Sequence, residues 1–536
     1  MGGRPVRDLT AGLMVGLVAL PLALGFGASS GLGAGAGLVT AVVAGAVAAV
    51  FGGSRVQVSG PTGAMTVVLV PIVATHGADG VLVVGLLAGA VLVGLAYLGA
   101  GRFIRYVPVP VVEGFTLGIA AIIALQQLPS ALGVRVHADK VLVLAARAAA
   151  AWVRAPMWAP LMVAVGVGTA VLLLVRLRPA LPGSLIAVVA ATLGNAAFGW
   201  GAAPIGSIPS GLPVPSLPGV PLGDIGALVL PAIAVAALAA LESLLSATVA
   251  DGMSVGRRHD SNRELFGQGV ANLVAPLFGG IPATAAIART AVNVRAGATS
   301  RLAALTHSLV LLLVAVAAAR WVADIPLAAL AGVLIATAIQ MVRVSSLRAL
   351  LRSTRGDGVV LVLTAVATVT FDLVTAVLVG LVMAGFFALQ QTARAARVEE
   401  VPLEAGDHTD EERRLLDEHI VAYRIDGPLF FAAAHDFLLG LADVTTVRVV
   451  VLRMSRITAI DATGASVLAD TISRLEGRNV TVLLSGVQAH HERVLQELGV
   501  YGHLAHERHL FATTPEAIAH ARLHAARVTH SPPVGP

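Results

Sequence analysis

A carboxylate stands in the middle of an apolar stretch of the chain. Glu242 falls well inside the apolar run 224–250, and Ser246 follows four residues later, on the same face if the run is helical. A carboxylate at mid-bilayer costs about 2.5–3.5 kcal/mol on insertion scales and marks function by default. Glu242 and Ser246 are therefore predicted to hold a proton or a cation. A structural ion pair between Glu242 and Arg289 is the alternative.

Two Gly- and Pro-rich extended stretches precede two unusually short apolar runs. The first covers residues 52–60 before Pro61, and the second covers 279–281 before Pro282. Short, interrupted segments at matching places in two halves of a chain indicate the binding site of an inverted-repeat transporter. Each proline is predicted in the first turn of its helix, where its missing N–H costs nothing. A simple kink in a packed helix remains the alternative for either break taken alone.

Two half-helices that begin at the bilayer midplane would form an anion site. Their first N–H groups lack partners within the helix and carry the positive end of the helix dipole. Small side chains there would let an anion reach the backbone donors, and Arg289 would add a fixed positive charge or neutralise Glu242. The predicted lining is Thr62, Gly63, Ala64, Thr284, Ala285, Ala286 and Ile287.

The composition divides the chain into two parts. Of its 536 residues 57% are hydrophobic and 12% are charged, whereas soluble proteins carry about 25% charged residues. Residues 1–395 hold 23 Lys and Arg against 12 Asp and Glu, and the remainder holds 13 against 19. We predict a membrane domain over 1–395, a linker over 396–412, a soluble domain over 413–528 and a disordered tail over 529–536. The high pI belongs to the membrane part, so no nucleic-acid partner is predicted.

The sequence excludes several kinds of chemistry. It contains no cysteine, which removes disulfides, Cys-ligated zinc and iron–sulfur clusters, and no cofactor is predicted. An intramembrane enzyme is the alternative from another functional class. It would need a convergent His or Ser–Lys constellation, but the apolar runs hold almost no histidine and the chain has Lys140 as its one lysine. The sequence therefore predicts a transporter and not an enzyme.

About fourteen apolar runs could each cross a hydrocarbon core of ~30 Å, which takes roughly 20 residues. Arginines recur in every second connection, and the positive-inside rule assigns that side to the cytoplasm. An even number of spans predicts that both termini are cytoplasmic. The predicted spans are 9–28, 36–51, 61–74, 80–100, 110–127, 156–175, 183–200, 224–250, 265–279, 284–294, 301–319, 326–342, 357–371 and 373–393.

Four motifs in this order resemble the SulP sulfate-permease family. They are 21–26 (PLALGF), 52–65 (GGSRVQVSGPTGAM), 241–253 (LESLLSATVADGM) and 262–289 (NRELFGQGVANLVAPLFGGIPATAAIAR). The resemblance extends over essentially the whole chain. It implies an α-helical polytopic membrane protein with seven-plus-seven inverted repeats, in which a core domain moves against a gate domain by an elevator-like motion. It also implies a homodimer in the cytoplasmic membrane that transports a small inorganic anion.

The resemblance also assigns roles to individual residues. Sodium-coupled bicarbonate members have an aspartate and, four residues later, a threonine that bind sodium, and Glu242 and Ser246 hold those places here. Glutamate favours proton symport, with sodium symport or anion exchange as alternatives. Leu22 replaces a polar residue that often contacts substrate, which leaves bicarbonate, sulfate and chloride open. The substrate pocket implied by the family is Thr62, Gly63, Ala64, Ala285, Ala286, Ile287, Ala288 and Arg289.

The last part of the chain alternates strand-like and helical segments, which is typical of a small α/β layer fold. Its stretch 457–464 (ITAIDATG) resembles the loop of STAS domains, named for sulfate transporters and anti-sigma-factor antagonists. Thr463 stands at their phosphorylatable position, at a helix start where phosphate is favoured. Capping of that helix by Asp461 and Thr463 is the alternative. The predicted strands and helices are 419–425, 447–452 and 480–484, and 463–475, 490–498 and 515–527.

Overall fold

The computed structural model describes the chain as two compact units, Met1–Ala384 and Gly385–Pro536. Most of the predicted linker and the whole predicted tail lie outside the described residues, so the domain boundaries stay predictions. The described residues are 5–138, 140–178, 181–219, 225–253, 258–371, 373–395, 397–400, 419–429, 447–504 and 509–528.

The chain before Arg397 is almost entirely helical where it is described. The helices, in chain order, are α1 (Pro5–Ser29), α2 (Ala34–Phe51), α3 (Gly63–Tyr97), α4 (Val109–Gln126), α5 (Leu128–Leu132), α6 (Val141–Arg154), α7 (Trp158–Leu177), α8 (Gly183–Phe198), α9 (Ile225–Met253), α10 (Ser261–Val274), α11 (Ile287–Arg295), α12 (Leu302–Ala317), α13 (Ala319–Ala323), α14 (Leu327–Met341), α15 (Val344–Ser353), α16 (Arg355–Thr370) and α17 (Leu373–Ala395). Short 3₁₀ turns follow α3 and α10.

Every predicted span overlaps a helix, and most ends agree within a few residues. The predicted spans 61–74 and 80–100 are both parts of α3, which bends at Gly77 (φ 67°). Within the described residues, seven helical segments are long and apolar enough to cross a bilayer, and three shorter helices are apolar as well. The number of membrane crossings therefore stays a prediction. Helices α6 and α15 were not predicted, because their apolar residues are mixed with arginines.

The helices of the first unit pack closely through small residues. Helices α1 and α2 cross at Gly27 and Gly37, where a Cβ atom on Gly37 would lie only 2.1 Å from the carbonyl oxygen of Ala23. Small residues at helix crossings let two backbones approach, which is the usual basis of packing between apolar helices. The main hydrophobic core then joins residues of α1 and α2 to α3, α9 and α14.

Two short strands meet inside the first unit. Strand β1 (Ser59–Gly60) pairs antiparallel with β2 (Thr284–Ala285), so that Ser59 lies opposite Ala285. Helix α3 begins just after β1, and α11 begins just after β2. The two Gly- and Pro-rich breaks of the sequence are thus brought together as two strand–helix units.

The prolines do not stand where the sequence predicts them. Pro61 precedes the N-cap residue Thr62 and is outside the first turn of α3. Pro282 lies before β2 and is separated from α11 by the whole strand. The prediction that each proline occupies the first helical turn is therefore wrong. A proline's fixed φ suits the extended backbone that leads into each unit equally well.

Side chains of α10 satisfy the backbone polar groups of these extended segments. The buried Asn272 donates to the carbonyl of Ala283 at 2.9 Å and accepts from its N–H at 2.8 Å. Glu264 accepts from the N–H groups of Gly53 at 2.9 Å and Ser54 at 3.0 Å. Non-helical backbone in an apolar environment is tolerated only where such partners exist, because an unpaired N–H or C=O group costs several kcal/mol there.

The second unit is built on a five-stranded sheet. Its order is β3–β4–β5–β6–β7, with β3 antiparallel to β4 and the remaining neighbours parallel. Two hydrophobic clusters cover its faces, one contributed by α18 and α19 and the other by α20. The elements are β3 (Arg397–Glu400), β4 (Ile420–Leu429), β5 (Val449–Ile460), α18 (Ala462–Glu476), β6 (Thr481–Ser485), α19 (Ala489–Glu497), β7 (Leu510–Phe511) and α20 (Thr514–Val528).

The three predicted strands and three predicted helices of this unit are all present. The two edge strands were missed. Residues of β3 fall in the predicted linker, where two adjacent glutamates favour a solvated segment. Strand β7 has only two residues, too few for an alternating pattern to be recognised.

We expect Asn272→Leu to destabilise the protein, because the apolar side chain leaves both polar groups of Ala283 without partners. Each unsatisfied buried group costs about 1–3 kcal/mol. Thermal unfolding of the detergent-purified protein should therefore begin at a lower temperature. Asn195→Leu is the matched control, since Asn195 also holds the backbone of one residue, Ala202, but at a half-buried position. Equal melting temperatures for the wild type and Asn272→Leu would contradict this account.

Candidate functional site

The carboxylate of Glu242 contacts the start of α3. The buried Thr62 is the N-cap residue of α3, and its hydroxyl accepts from the N–H of Met65 at 3.4 Å. The same hydroxyl donates to Oε2 of Glu242 at 2.9 Å. The Glu242 side chain is partly exposed. One hydroxyl therefore joins the helix start to the carboxylate of a partly exposed residue.

The guanidinium of Arg289 contacts the residue before Thr62. Arg289 belongs to α11, is 1% exposed, and donates through Nη2 to the carbonyl oxygen of Pro61 at 2.5 Å. Its Nη1 is buried and has no hydrogen-bond partner among the described residues. A Cβ atom on Gly60 would lie 2.5 Å from Nη1, and Gly60 has a φ of 153°. Any larger residue at position 60 would therefore collide with the guanidinium of Arg289.

Glu242 and Arg289 contact two adjacent residues, Thr62 and Pro61, but they are not a direct ion pair. Among the described residues, the ion pairs within 4.0 Å do not include them. The carboxylate of Glu242 accepts from the hydroxyl of Thr62, and the guanidinium of Arg289 donates to the carbonyl of Pro61. The structural ion pair considered as the alternative from sequence is therefore not formed, and a guanidinium and a carboxylate stand close to one site with hydrogen-bonding capacity left.

The beginning of α11 differs from that of α3. Its N-cap residue Ala286 provides no side-chain cap, whereas Thr62 caps α3. Ile287 is partly exposed and Ala288 is exposed. The first N–H groups of a helix have no partner within the helix and carry its positive end. The small side chains of Ala286 and Ala288 at this start leave room for an anion to approach those donors.

The rest of the predicted lining is buried. Thr284 and Ala285 form β2 and do not begin a helix, and both are at most 1% exposed. Gly63 and Ala64 are buried at the start of α3, where a Cβ atom on Gly63 would meet Ile123 at 2.2 Å. The accessible part of the predicted site is therefore the start of α11 together with Glu242.

Ser246 is engaged away from Glu242. Its buried hydroxyl donates to Oγ1 of Thr290 at 3.1 Å, and that oxygen accepts from the N–H of Val58 at 3.1 Å. Ser246 thereby ties α9 to α11 and to the segment that leads into β1. The two predicted coupling residues share a helix, but the structure does not bring their polar atoms together.

Ser243 is a site residue that the sequence reasoning passed over. Its hydroxyl lies 2.8 Å from Oγ1 of Thr284 and accepts from the N–H of Ala285 at 3.2 Å. It therefore holds β2 against α9. Ser243 and Ser246 are three residues apart on α9 and face the same strand–helix unit, in which Ser243 contacts β2 and Ser246 contacts α11. That spacing on an apolar helix was the signal that could have identified them as a pair.

A basic cavity lies near the ends of α2, α10 and α12. It has a volume of about 440 Å³, and Ser300, Asp260 and four arginines line it. Three of those arginines lie in connections that the positive-inside rule assigns to the cytoplasm, and the fourth, Arg55, lies near the end of a predicted span. The four are Arg55, Arg258, Arg263 and Arg301.

Thr463 lies in the first turn of α18 in the second unit and is exposed. The cap of this helix is Asp461 alone, whose carboxylate accepts from the N–H of Gly464 at 2.7 Å. The alternative in which Asp461 and Thr463 both cap the helix therefore holds for Asp461 only. Thr463 is exposed in the first turn.

Comparison with known proteins identifies both units. Residues 6–364 match the sulfate permease family, and residues 416–517 match the STAS domain. The chain belongs to the sulfate permease family. Family members are anion transporters and not enzymes, so the chain is a multi-pass membrane anion transporter with a C-terminal STAS domain. The predicted family and functional class are thus confirmed.

Several members of the sulfate permease family align over most of their length. The Bacillus subtilis (strain 168) protein named "Putative sulfate transporter YvdB" is 34% identical over 525 residues, 94% of this chain and 96% of its own. The bicarbonate transporter BicA of Picosynechococcus sp. is 30% identical, with 80% and 79% of the two chains covered. The inward-facing structure of murine Slc26a9 superposes with a TM-score of 0.80, covering 97% of this chain and 91% of that one. At 19% identity, it shows the fold alone.

We expect Thr62→Val to weaken both contacts made by the Thr62 hydroxyl. Loss of an N-cap costs about 1 kcal/mol, so the melting temperature should fall, and the Glu242 carboxylate loses its donor. Thr62→Ser is the matched control because it keeps the hydroxyl. Anion uptake into proteoliposomes should fall in Thr62→Val and stay near the wild-type rate in Thr62→Ser. Equal stability and uptake in the two variants would show that the hydroxyl is dispensable.

Proposed function

We propose that the chain is a secondary active transporter that carries sulfate or bicarbonate across the cytoplasmic membrane by elevator-type alternating access, coupled to protons. The observation that carries this proposal is the start of α11. It combines a helix start without a side-chain cap, at the partly exposed Ile287 and the exposed Ala288, with the buried guanidinium of Arg289, whose Nη1 has no partner among the described residues. The names of the relatives, which include sulfate and bicarbonate transporters, supply the choice of anions.

The anion would bind between the two strand–helix units. Its proposed donors are the backbone N–H groups of Ile287 and Ala288 and the Nη1 atom of Arg289. Because the anion is charged, these hydrogen bonds are charge-assisted and about twice as strong as neutral ones. The remaining wall of the pocket would be formed by Thr62, Gly63, Ala64, Thr284, Ala285 and Ala286. The pairing of β1 with β2 would keep both helix starts together while the site moves.

The proposal assigns the coupling proton to Glu242. Glu242 is partly exposed, and among the described residues Thr62 donates a hydrogen bond to its carboxylate. A sodium site at Glu242 and Ser246 finds less support, because the Ser246 hydroxyl is directed to Thr290. Sodium symport and anion exchange are the alternatives that the uptake experiment below separates from proton symport.

Orientation and assembly belong to the same proposal. Both termini would be cytoplasmic, and the basic cavity lined by four arginines would lie at that face and attract anions toward the protein. The homodimer is proposed from the family resemblance alone. Thr463 is proposed as a phosphorylation site because it is exposed at a helix start, where the N–H groups favour a phosphate.

We expect Glu242→Gln to abolish proton coupling. Glutamine is isosteric and its side-chain oxygen can still accept from Thr62, but it cannot take up a proton. Labelled sulfate and labelled bicarbonate uptake into proteoliposomes is measured with no gradient, an inward proton gradient or an inward sodium gradient. For the wild type, the proton gradient should stimulate uptake of one anion. For Glu242→Gln, the ratio of uptake with and without the proton gradient should fall to about one.

The control for that experiment is Glu113→Gln. Glu113 is a buried carboxylate in α4 of the same unit, and it pairs with Arg343 at 3.1 Å. This variant should keep the stimulation by protons. Full stimulation in Glu242→Gln would contradict the assignment of the proton to Glu242. Stimulation of the wild type by sodium alone would contradict proton symport.

We expect Arg289→Lys to weaken anion binding while leaving a positive charge. Lysine cannot donate to Pro61 and to an anion through two fixed nitrogens, as the planar guanidinium can. The apparent KM for the transported anion should rise by about tenfold, the equivalent of 1.4 kcal/mol. Arg320→Lys is the control, since Arg320 is exposed and stacks on Trp321. An unchanged KM in Arg289→Lys would exclude Arg289 as an anion ligand.

A further inference from the structure

Three histidines converge at one edge of the STAS domain. His520 and His524 are one turn apart on α20, and His509 immediately precedes β7. The three imidazole ring centroids are 5.0 to 5.7 Å apart. One ring nitrogen of each histidine lies within 4.8 Å of those of the other two.

The packing of α20 holds two of these side chains in place. Ala517 and Ala521 are fully buried in the cluster that joins α20 to the sheet. His520 and His524 are partly buried beside this packed face, and His509 is 2% exposed. The backbones of all three histidines therefore belong to elements that pack on each other, and His520 and His524 stay partly exposed.

Three imidazole side chains are a ligand set that first-row transition metals favour. Zinc sites with three protein ligands keep a fourth position for water, and imidazole suits zinc, copper and nickel. With metal–nitrogen bonds of 2.0–2.1 Å, the nitrogens of a tetrahedral site are about 3.4 Å apart. The three nitrogens lie within 4.8 Å of one another, and small rotations of the side chains would bring them to this separation. The chain has no cysteine that could supply a competing thiolate site.

We propose that His509, His520 and His524 bind one divalent transition-metal ion, with zinc as the representative ion. The bound ion would link the last helix of the STAS domain to the edge strand β7. Because the three ligands come together only in the folded domain, the ion would also stabilise it. This site lies apart from Glu242 and Arg289 in sequence and in domain, so it does not depend on which anion is transported.

The experiment uses the full chain in detergent, purified through a tag without histidines and stripped with a chelator. Zinc binding is titrated by competition with a chromophoric chelator, and Co²⁺ is added in parallel to record its visible absorption. The variants are His520→Gln and His524→Gln. His490→Gln is the control, because His490 is exposed on α19, a helix that packs on the other face of the sheet.

The wild type and His490→Gln should each bind one more zinc ion per chain than His524→Gln. Zinc affinity should fall at least about tenfold in His520→Gln and His524→Gln, since loss of even an outer partner of a metal ligand costs 10–100-fold. The visible bands of tetrahedral Co²⁺ should appear in the wild type and vanish in both variants.

Two results would overturn the proposal. One is equal zinc binding by the wild type and His524→Gln. The other is a lower melting temperature of both variants in the absence of metal, together with no effect of zinc on the wild type. That second pattern would make the three rings a packing cluster. Unchanged circular dichroism spectra of the variants establish that a loss of zinc binding is not a loss of fold.

Discussion

The structure depends on the need to satisfy backbone polar groups in an apolar interior. Two extended segments interrupt the helices of the membrane unit, and their N–H and C=O groups cannot be hydrated there. Strands β1 and β2 pair with each other, and buried side chains such as Asn272, Glu264 and Ser243 take up the remaining groups. These bonds fix the beginnings of α3 and α11 relative to one another. The candidate anion site is a consequence of that arrangement.

Two side chains of opposite charge define the site, and each of them needs its own neutralising partner. Among the described residues, Arg289 is bonded to Pro61 and Glu242 to Thr62, and the two charges do not form an ion pair with each other. A fixed charge in an apolar environment is costly unless it is neutralised. Under the proposed function, the anion neutralises Arg289 and the proton neutralises Glu242, so that the loaded site can move across the membrane at lower cost than the half-loaded one. That relation gives a physical reason for coupling.

The sequence predicted the features that depend on local pattern. Runs of apolar residues located the helices, and the Gly- and Pro-rich breaks located the two strand–helix units. The sequence did not predict contacts between residues far apart in the chain. Examples are the hydrogen bond from the N–H of Gly53 to Glu264 and the one from the hydroxyl of Ser246 to Thr290. The histidine cluster illustrates the same division. The spacing of His520 and His524 is visible in the sequence, but His509 joins them only through the position of β7.

The central claim is that a transported anion occupies the start of α11, and cysteine accessibility tests it most directly. Because the chain has no native cysteine, Ala288→Cys introduces a single reactive thiol at an exposed position of this helix start. The account predicts that the transported anion slows labelling of this thiol by a charged methanethiosulfonate. It also predicts no protection of Val214→Cys, which is exposed and does not line the basic cavity. Labelling of Ala288→Cys at one rate with and without the anion would contradict the account.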